Sequence, residues 1–448
     1  MPHGISFGAA LRVWTHIALL SFGGPAGQIA LMHRILVEEK RWIGEQRFLS
    51  ALNFCTLLPG PEAQQLATYI GWLLHKTKGG LAAGILFILP GAVAIMALSL
   101  VYVSYGQLPW VAGLFFGIKA AVVAIVFQAV IRIGGRALGS MPKRVVAVVA
   151  FLALAFANIP FPLIVVGAGV VGWLYARTGS TAFTASSHGA AAGFSDADSA
   201  LGEGIPAHAQ PDGTHRIGIA LIFLLLWLVP IILLVTILGP DNRFSEIGLF
   251  FGRMAVVTFG GAYAVLAYVG QAAVEQYHWL TTSEMLDGLG LAESTPGPLI
   301  MVTQFVGFLA GYREPGVLSP MAGGIAAGLL TTWVTFVPCF LWIFIGAPHI
   351  ERLRHNVALS SALAAITAAV VGVILHLGLW FALHYIFARQ TTLDFGVFSF
   401  FAPDFSSLNW AALGLTIAAI IALFRFKIGV ITLIIGSGLV GLGLAIIS

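Results

Sequence analysis

Long apolar runs follow one another along almost the whole chain, separated by short clusters of glycine, proline and charged residues. In the first half they lie near residues 9–37, 47–75, 80–105, 110–138, 143–157 and 160–176. The second half repeats the series near 246–275, 283–311, 318–346, 355–387, 410–424 and 427–447, after an additional run at 217–238. A hydrocarbon core of ~30 Å takes about 20 helical residues to cross. The first four runs of each half are long enough, so the spacing predicts an all-α polytopic membrane protein. The runs at 143–157 and 160–176 are short, and a half-depth hairpin is the expectation there.

The two halves are copies of one another. Residues 21–61 align with 258–298 without a gap at an offset of 237, and 12 of the 41 positions are identical. Phe22-Gly23-Gly24 falls on Phe259-Gly260-Gly261, Glu38 on Glu275, Trp42 on Trp279 and Pro59-Gly60-Pro61 on Pro296-Gly297-Pro298. Apolar composition alone does not bring a rare tryptophan and two helix-breaking motifs into register. Between the halves, residues 177–216 are rich in Gly, Ala and Ser with no periodicity, which reads as a flexible linker. The expected layout is a repeat at 1–176, the linker at 177–216, an extra transmembrane helix at 217–240 and a second repeat at 241–448.

Parity gives the architecture. Six crossings return the chain to its starting side, and a hairpin in place of two of them changes nothing. The added helix then starts the second repeat from the opposite face. The expectation is two inverted repeats of about six membrane elements, an arrangement common in secondary transporters, unless the Leu57–Trp72 element fails to cross while its neighbours do. On this layout one side collects Lys76, Lys78, Arg132, Arg136, Lys143, Arg144, Arg177, Arg216, Arg352, Arg354, Arg425 and Lys427. The other holds Lys40, Arg41, Arg47, Arg243, Arg313 and Arg389. The positive-inside rule places the N-terminus and linker in the cytoplasm and Ser448 outside, in a multi-pass cell-membrane protein.

Composition narrows the function. Of the residues, 59% are hydrophobic and 9% charged, against about a quarter charged in soluble proteins. The net charge of +4 is spread over loops, which excludes the basic face of a nucleic-acid binder. Cys55 and Cys339 sit in apolar runs and the twelve histidines have no ligand spacing, so neither a disulfide framework nor a metal site is indicated. No phosphate-binding loop, nucleophile or paired acid and base is present, so an ATP-driven pump, an intramembrane enzyme and a cofactor are not expected. Arg12 precedes the first run without a cleavage pattern, and the same motif recurs at 258. The N-terminal segment therefore belongs to the fold.

The chemistry concentrates where the helices break. Gly23-Gly24-Pro25 interrupts the run at 9–37, and Pro59-Gly60-Pro61 interrupts 47–75. The flanks of the second break, 47–58 and 62–75, would be roughly 18 and 21 Å long as helices. Two such halves are expected to span a membrane with the break near its middle. Pro61 suits a first helical turn, and Glu62 follows where the positive dipole end favours a carboxylate. Glu62 also has a purely structural reading as a helix-start residue.

Irregular backbone at bilayer depth is tolerated where protein or a watery cavity satisfies it. Four half-helix starts after Gly24, Gly60, Gly261 and Gly297 would offer on the order of +2 charge to a small dianion. Asn53, Gln64, Gln65, Ser294 and Thr295 could add hydrogen bonds, with Gly260, Pro296 and Pro298 completing the second copy's breaks. Lys119 is the one lysine deep in a predicted span, at a cost of ~2.5–3.5 kcal/mol, and needs a partner or a pathway. A paired structural carboxylate is the competing reading for it. Glu62 and Glu293 are the proton-binding candidates, because burial favours a carboxyl group's neutral form.

The series FGGP, W and LPGPEAQQLATYIGW, followed in the second half by FGGAYAVLAYV, W and ESTPGP, resembles the chromate ion transporter family in its long two-domain form. The likeness covers the chain apart from the linker. It implies export of chromate, in some members sulfate transport, energised by the proton gradient. The partners implied are the oxyanion, protons and the lipid bilayer, and the chain is compatible with a homodimer. A channel, or a proton-coupled exporter of another small anion, stays open as the alternative. A dianion leaving a negative cytoplasm gains about 4–5 kcal/mol at 100 mV, so export is favoured even without coupling.

Overall fold

The computed structural model describes residues 4–179, 183, 195–203, 213–259, 261–347, 356–395 and 398–447. Gly260, Arg352, Arg354, Ser448 and most of the 177–216 linker lie outside the described residues. Among them are sixteen α-helices and one β-hairpin. The first repeat contains α1 (Phe7–Leu20), α2 (Gly24–His33), α3 (Glu45–Cys55), α4 (Glu62–Tyr105), α5 (Pro109–Ala137), α6 (Met141–Ala157) and α7 (Phe161–Arg177). The extra helix is α8 (Gly213–Leu238). The second repeat contains α9 (Arg243–Val257), α10 (Ala262–Gln271), α11 (Thr282–Ser294), α12 (Val302–Arg313), α13 (Pro320–Gly346) and α14 (Val357–Ile386). An antiparallel hairpin, β1 (Gln390–Phe395) and β2 (Phe398–Pro403), precedes α15 (Trp410–Phe424) and α16 (Val430–Ile447).

Among the described residues, six helices are long and apolar enough to cross a membrane: α4, α5, α8, α13, α14 and α16. Their exposed faces carry Ile85, Leu89, Val93, Leu225 and Leu329, side chains suited to lipid. The helix starts follow local chemistry. Ser6, Asn242, Ser319 and Asn409 accept a hydrogen bond from the first turn of α1, α9, α13 and α15. The predicted short hairpin is α6 and α7, 17 residues each, with Asn158 in the left-handed region between them. Within α4 the backbone leaves helical geometry at His75 and Lys76. Gly71 and Gly79 then meet so closely that neither has room for a Cβ atom.

At the offset of 237, the turn after α2 and the turn after α10 share their hydrogen bonding. Each copy carries a π-helical turn, Arg34–Glu39 and Ala272–Gln276. Lys40 N–H donates to Ile35 and Trp42 N–H to Leu36, while Tyr277 donates to Ala272 and Trp279 to Ala273. Arg41 and His278, which correspond, both adopt φ of 53°.

The chain divides into two compact units that cut across the repeats: Met1–Met96, Ala185–Ala262 and Thr295–Val357 form one, and Ala97–Thr184, Tyr263–Ser294 and Ala358–Ser448 the other. Inside the first unit, two expectations are corrected. Phe54 and Tyr69 lie on either side of the Pro59-Gly60-Pro61 break, yet their ring centroids are 5.8 Å apart. Helical halves continuing in line would separate those positions by roughly 20 Å. The two halves of the 47–75 element therefore fold back beside each other rather than crossing end to end.

The second correction concerns Lys40, Arg41 and Arg47, expected on the side opposite the linker. Residues of the linker span pack against that turn. Ala200 and Leu201 donate to the Arg41 and Trp42 carbonyls at 2.9 and 3.1 Å. The Asp196 carboxylate accepts from the Arg47 N–H, and the Arg47 guanidinium donates to the Glu203 carbonyl at 2.7 Å. Gly80 lies against Phe344, whose ring is 5.3 Å from Phe223 in the middle of α8.

Candidate functional site

The four helix breaks owe their shape to glycine. Gly23 and Gly24 have φ of 80° and 74°, Gly60 123°, Gly261 94° and Gly297 99°. A side chain resists that region, whereas glycine enters it without steric cost. Pro25 and Pro61 then fix the first turns of α2 and α4, where a missing N–H leaves nothing unpaired.

In the first compact unit the breaks are stitched together reciprocally. Gly60 N–H donates to the Thr258 carbonyl at 2.9 Å, and Gly297 N–H donates to the Ser21 carbonyl at 2.8 Å. These pairs are equivalent under the offset of 237, so each copy's PGP turn is held by the other copy's FGG turn. Gln28, fully buried, donates from Nε2 to the Gly297 carbonyl at 2.5 Å and to Ser21 at 3.4 Å. Gln65 Nε2 donates to the Pro59 carbonyl at 2.7 Å. Gly60 is also closed in by the Cys339 thiol, and Gly297 by Gly91.

The N–H groups of Gly60 and Gly297 themselves precede the half-helix starts expected to face an anion. Both are committed to the partner repeat, since a buried amide takes the nearest acceptor. The donors that have no acceptor among the described residues lie one step further on, at Glu62 and Ala63 in α4 and at Gly24 and Ala26 in α2.

Glu62 marks the open side of this cluster. Protein atoms surround it, yet its side chain keeps accessible area and makes no hydrogen bond among the described residues. A Cβ placed on Gly261 would lie 3.8 Å from Glu62 Oε1, and one placed on Gly23 would meet nothing within 4 Å. Gly23 therefore faces open space, and the Glu62 carboxylate lies against the Gly261 turn. The arrangement offers backbone donors, glycine surfaces and a single titratable group.

The remaining sequence candidates are distributed unevenly. Gln64 donates to Thr68 Oγ1 at 3.1 Å, Thr295 is buried, and Asn53 is exposed one turn before α3 ends. Lys119, Glu293 and Ser294 belong to the second compact unit. There Glu293 is buried and accepts from the Tyr263 hydroxyl at 2.6 Å, while the Ser294 hydroxyl donates to the Leu291 carbonyl. Lys119 pairs with Asp287 at 3.3 Å.

Sequence reasoning passed over Gln28, Tyr102, Tyr263 and Asp287. An acid inside the apolar stretch MLDGLGLAE was the available signal for Asp287. The others read as ordinary members of apolar helices. Among the described residues no group of three His, Cys, Asp or Glu side chains is arranged to hold a metal ion.

A family model described as chromate transporter matches residues 9–173 and 245–442. The chromate transport protein of Cupriavidus metallidurans is 26% identical over 368 residues, 80% of this chain and 78% of that protein. The probable chromate transport protein of Synechococcus elongatus is 26% identical over 361 residues, 80% of each chain. The chromate transport protein of Pseudomonas aeruginosa is 31% identical over 378 residues, 84% of this chain and 80% of that protein. No solved structure matches the chain.

Proposed function

The chain belongs to the chromate transporter family, and on that premise we propose that it carries chromate out of the cell through the opening at its broken helices. The observation that supports this reading most is Glu62, unpaired among the described residues beside the Gly261 turn. Backbone N–H groups at α2 and α4 starts favour an anion. They read charge and tetrahedral shape rather than the central element, so sulfate competes with chromate and chloride competes poorly.

Glu62 makes the site proton-sensitive. Two like unit charges 4 Å apart repel by about 4 kcal/mol at an effective dielectric of 20, and a dianion doubles this. Chromate therefore enters when Glu62 is protonated. The complex then carries one net negative charge, which gains about 2.3 kcal/mol on leaving through 100 mV. Glu293, held by Tyr263, is the second proton candidate.

The topology proposed is inverted repeats with the N-terminus and linker cytoplasmic and the C-terminus external. Within the first compact unit, Lys40, Arg41 and Arg47 gather at the linker end. Arg243, bonded to Glu314, and Arg313 lie at the far end of α8 and α12. The bias favours a cytoplasmic linker. The reciprocal hydrogen bonds between breaks support a twofold relation of the copies.

Chromate uptake into everted vesicles, with and without an imposed proton gradient, tests the reading. Saturable uptake is expected, with a flattened pH dependence in Glu62→Gln, whose neutral amide stands for the protonated carboxyl group. Uptake no greater than in vesicles lacking the protein would overturn it. A channel would give uptake that neither saturates nor shows counterflow.

A further inference from the structure

The second compact unit buries a charge cluster that the break site does not use. Lys119 lies ten residues into α5, with its side chain 14% exposed, and the Asp287 side chain on α11 is 6% exposed. Nζ stands 3.3 Å from Asp287 Oδ1, but that oxygen has no well-aligned hydrogen-bond donor. Oδ2 accepts from the Tyr102 hydroxyl of α4 at 2.9 Å. The Lys119 ammonium also donates to Ser283 Oγ on α11. The other charged group close enough to act on Asp287 is Glu284, whose carboxylate caps α11 by accepting from the Thr281 N–H and hydroxyl. The neighbouring α16 contributes no ionisable residue.

A buried ion pair kept for packing alone would have its remaining lone pairs satisfied, because desolvation otherwise outweighs the attraction. Here one carboxylate oxygen is left facing only the ammonium. Protonating Asp287 cancels the negative charge and leaves a buried cation that Ser283 still holds in place. An unpaired ammonium in that setting demands another anion. Proton binding and anion binding at this cluster are therefore linked, each favouring the other.

We propose that Asp287 is a positioning residue for oxyanion transport: ionised, it occupies Lys119, and protonated, it frees the Lys119 ammonium for a small oxyanion. This rests on the chromate-transport reading above. It shares the sign of Glu62 but differs in mode of action, since Glu62 repels the anion directly whereas Asp287 competes for the cation.

The test compares the pH dependence of the chromate KM in everted vesicles between pH 5 and 8 for the wild type, Asp287→Asn and Lys119→Met. Each linked proton changes KM by up to about tenfold per pH unit. Asp287→Asn is expected to lose one proton's share of that slope while keeping a KM near the wild-type low-pH value. Lys119→Met is expected to raise KM at every pH. The titration of chromate itself is common to all arms and cancels. Should Asp287→Asn fail to fold, Glu62→Gln and Glu62→Gln/Lys119→Met are compared for proton uptake on adding chromate to purified protein. Uptake is expected in the first and is lost in the second. An unchanged KM slope in Asp287→Asn, or undiminished proton uptake in the double variant, overturns the assignment. Absence of chromate transport in wild-type vesicles would instead overturn the reading on which it rests.

Discussion

After the break that follows α3, the first repeat carries Glu62, Gln64 and Gln65, where the second has Leu299, Met301 and Val302. Before the matching break the second repeat carries Glu293, Ser294 and Thr295, where the first has Thr56, Leu57 and Leu58. Gln28 likewise corresponds to Val265, and Tyr263 to Ala26. Parts of the backbone, by contrast, recur in both copies: a π-helical turn, and a left-handed residue at Arg41 and His278. Glycine and proline fix the scaffold locally, so duplication preserves it. The polar side chains are placed separately in each copy. A symmetric scaffold thus carries an asymmetric lining.

The equivalence of Arg41 and His278 gives the sharpest way to break the comparison. With Cys55 and Cys339 replaced by alanine, Arg41→Cys should resist an impermeant thiol reagent in intact cells, and His278→Cys should react. The two turns then lie on opposite membrane faces, as inverted copies require. Equal labelling of both would leave the copies equivalent in backbone but parallel in the membrane.

A second test asks whether the two PGP turns are equally indispensable. Gly60→Val and Gly297→Val each force a β-branched residue into positive φ, costing roughly 1–2 kcal/mol. Crowding against Cys339 or Gly91 adds roughly 1–3 kcal/mol more. A loss of about 2–5 kcal/mol is expected in each, read as a lower thermal midpoint in detergent. Tolerance of one and not the other would mean that the reciprocal hydrogen bonds do not bear equally on the fold.

The smallest effect expected concerns the lining. Gln28→Leu removes the donor shared by the Gly297 and Ser21 carbonyls, which costs about 1–3 kcal/mol when the acceptors are buried. Val265→Leu, the same position in the second copy, makes no such bond and should cost less than about 1.5 kcal/mol. Comparable losses in thermal midpoint for the two would assign the Gln28 effect to packing.

Most of the local structure was legible in the sequence. The apolar runs gave the helices, and the spacing of FGG and PGP gave the breaks at Gly23-Gly24, Gly60, Gly261 and Gly297. These follow from interactions within a few residues: a proline without an N–H, a glycine free to take positive φ, a helix long enough for a bilayer. The internal duplication was legible for the same reason, because rare residues recur at one offset.

The tertiary structure decided what lies across the chain. Whether the halves around Gly60 run in line or fold back depends on Phe54 meeting Tyr69, which no periodicity encodes. The Gly60 and Gly297 amides stand just before the helix starts, and acceptors more than 190 residues away take them. Lys119 needed a partner by the cost of its charge alone, but only packing selected Asp287 from the acids available. Local chemistry fixes where a polar group is exposed along its own helix. Which partner satisfies it is fixed by the neighbour that folding brings within hydrogen-bond distance, and that is a property of the assembled helices.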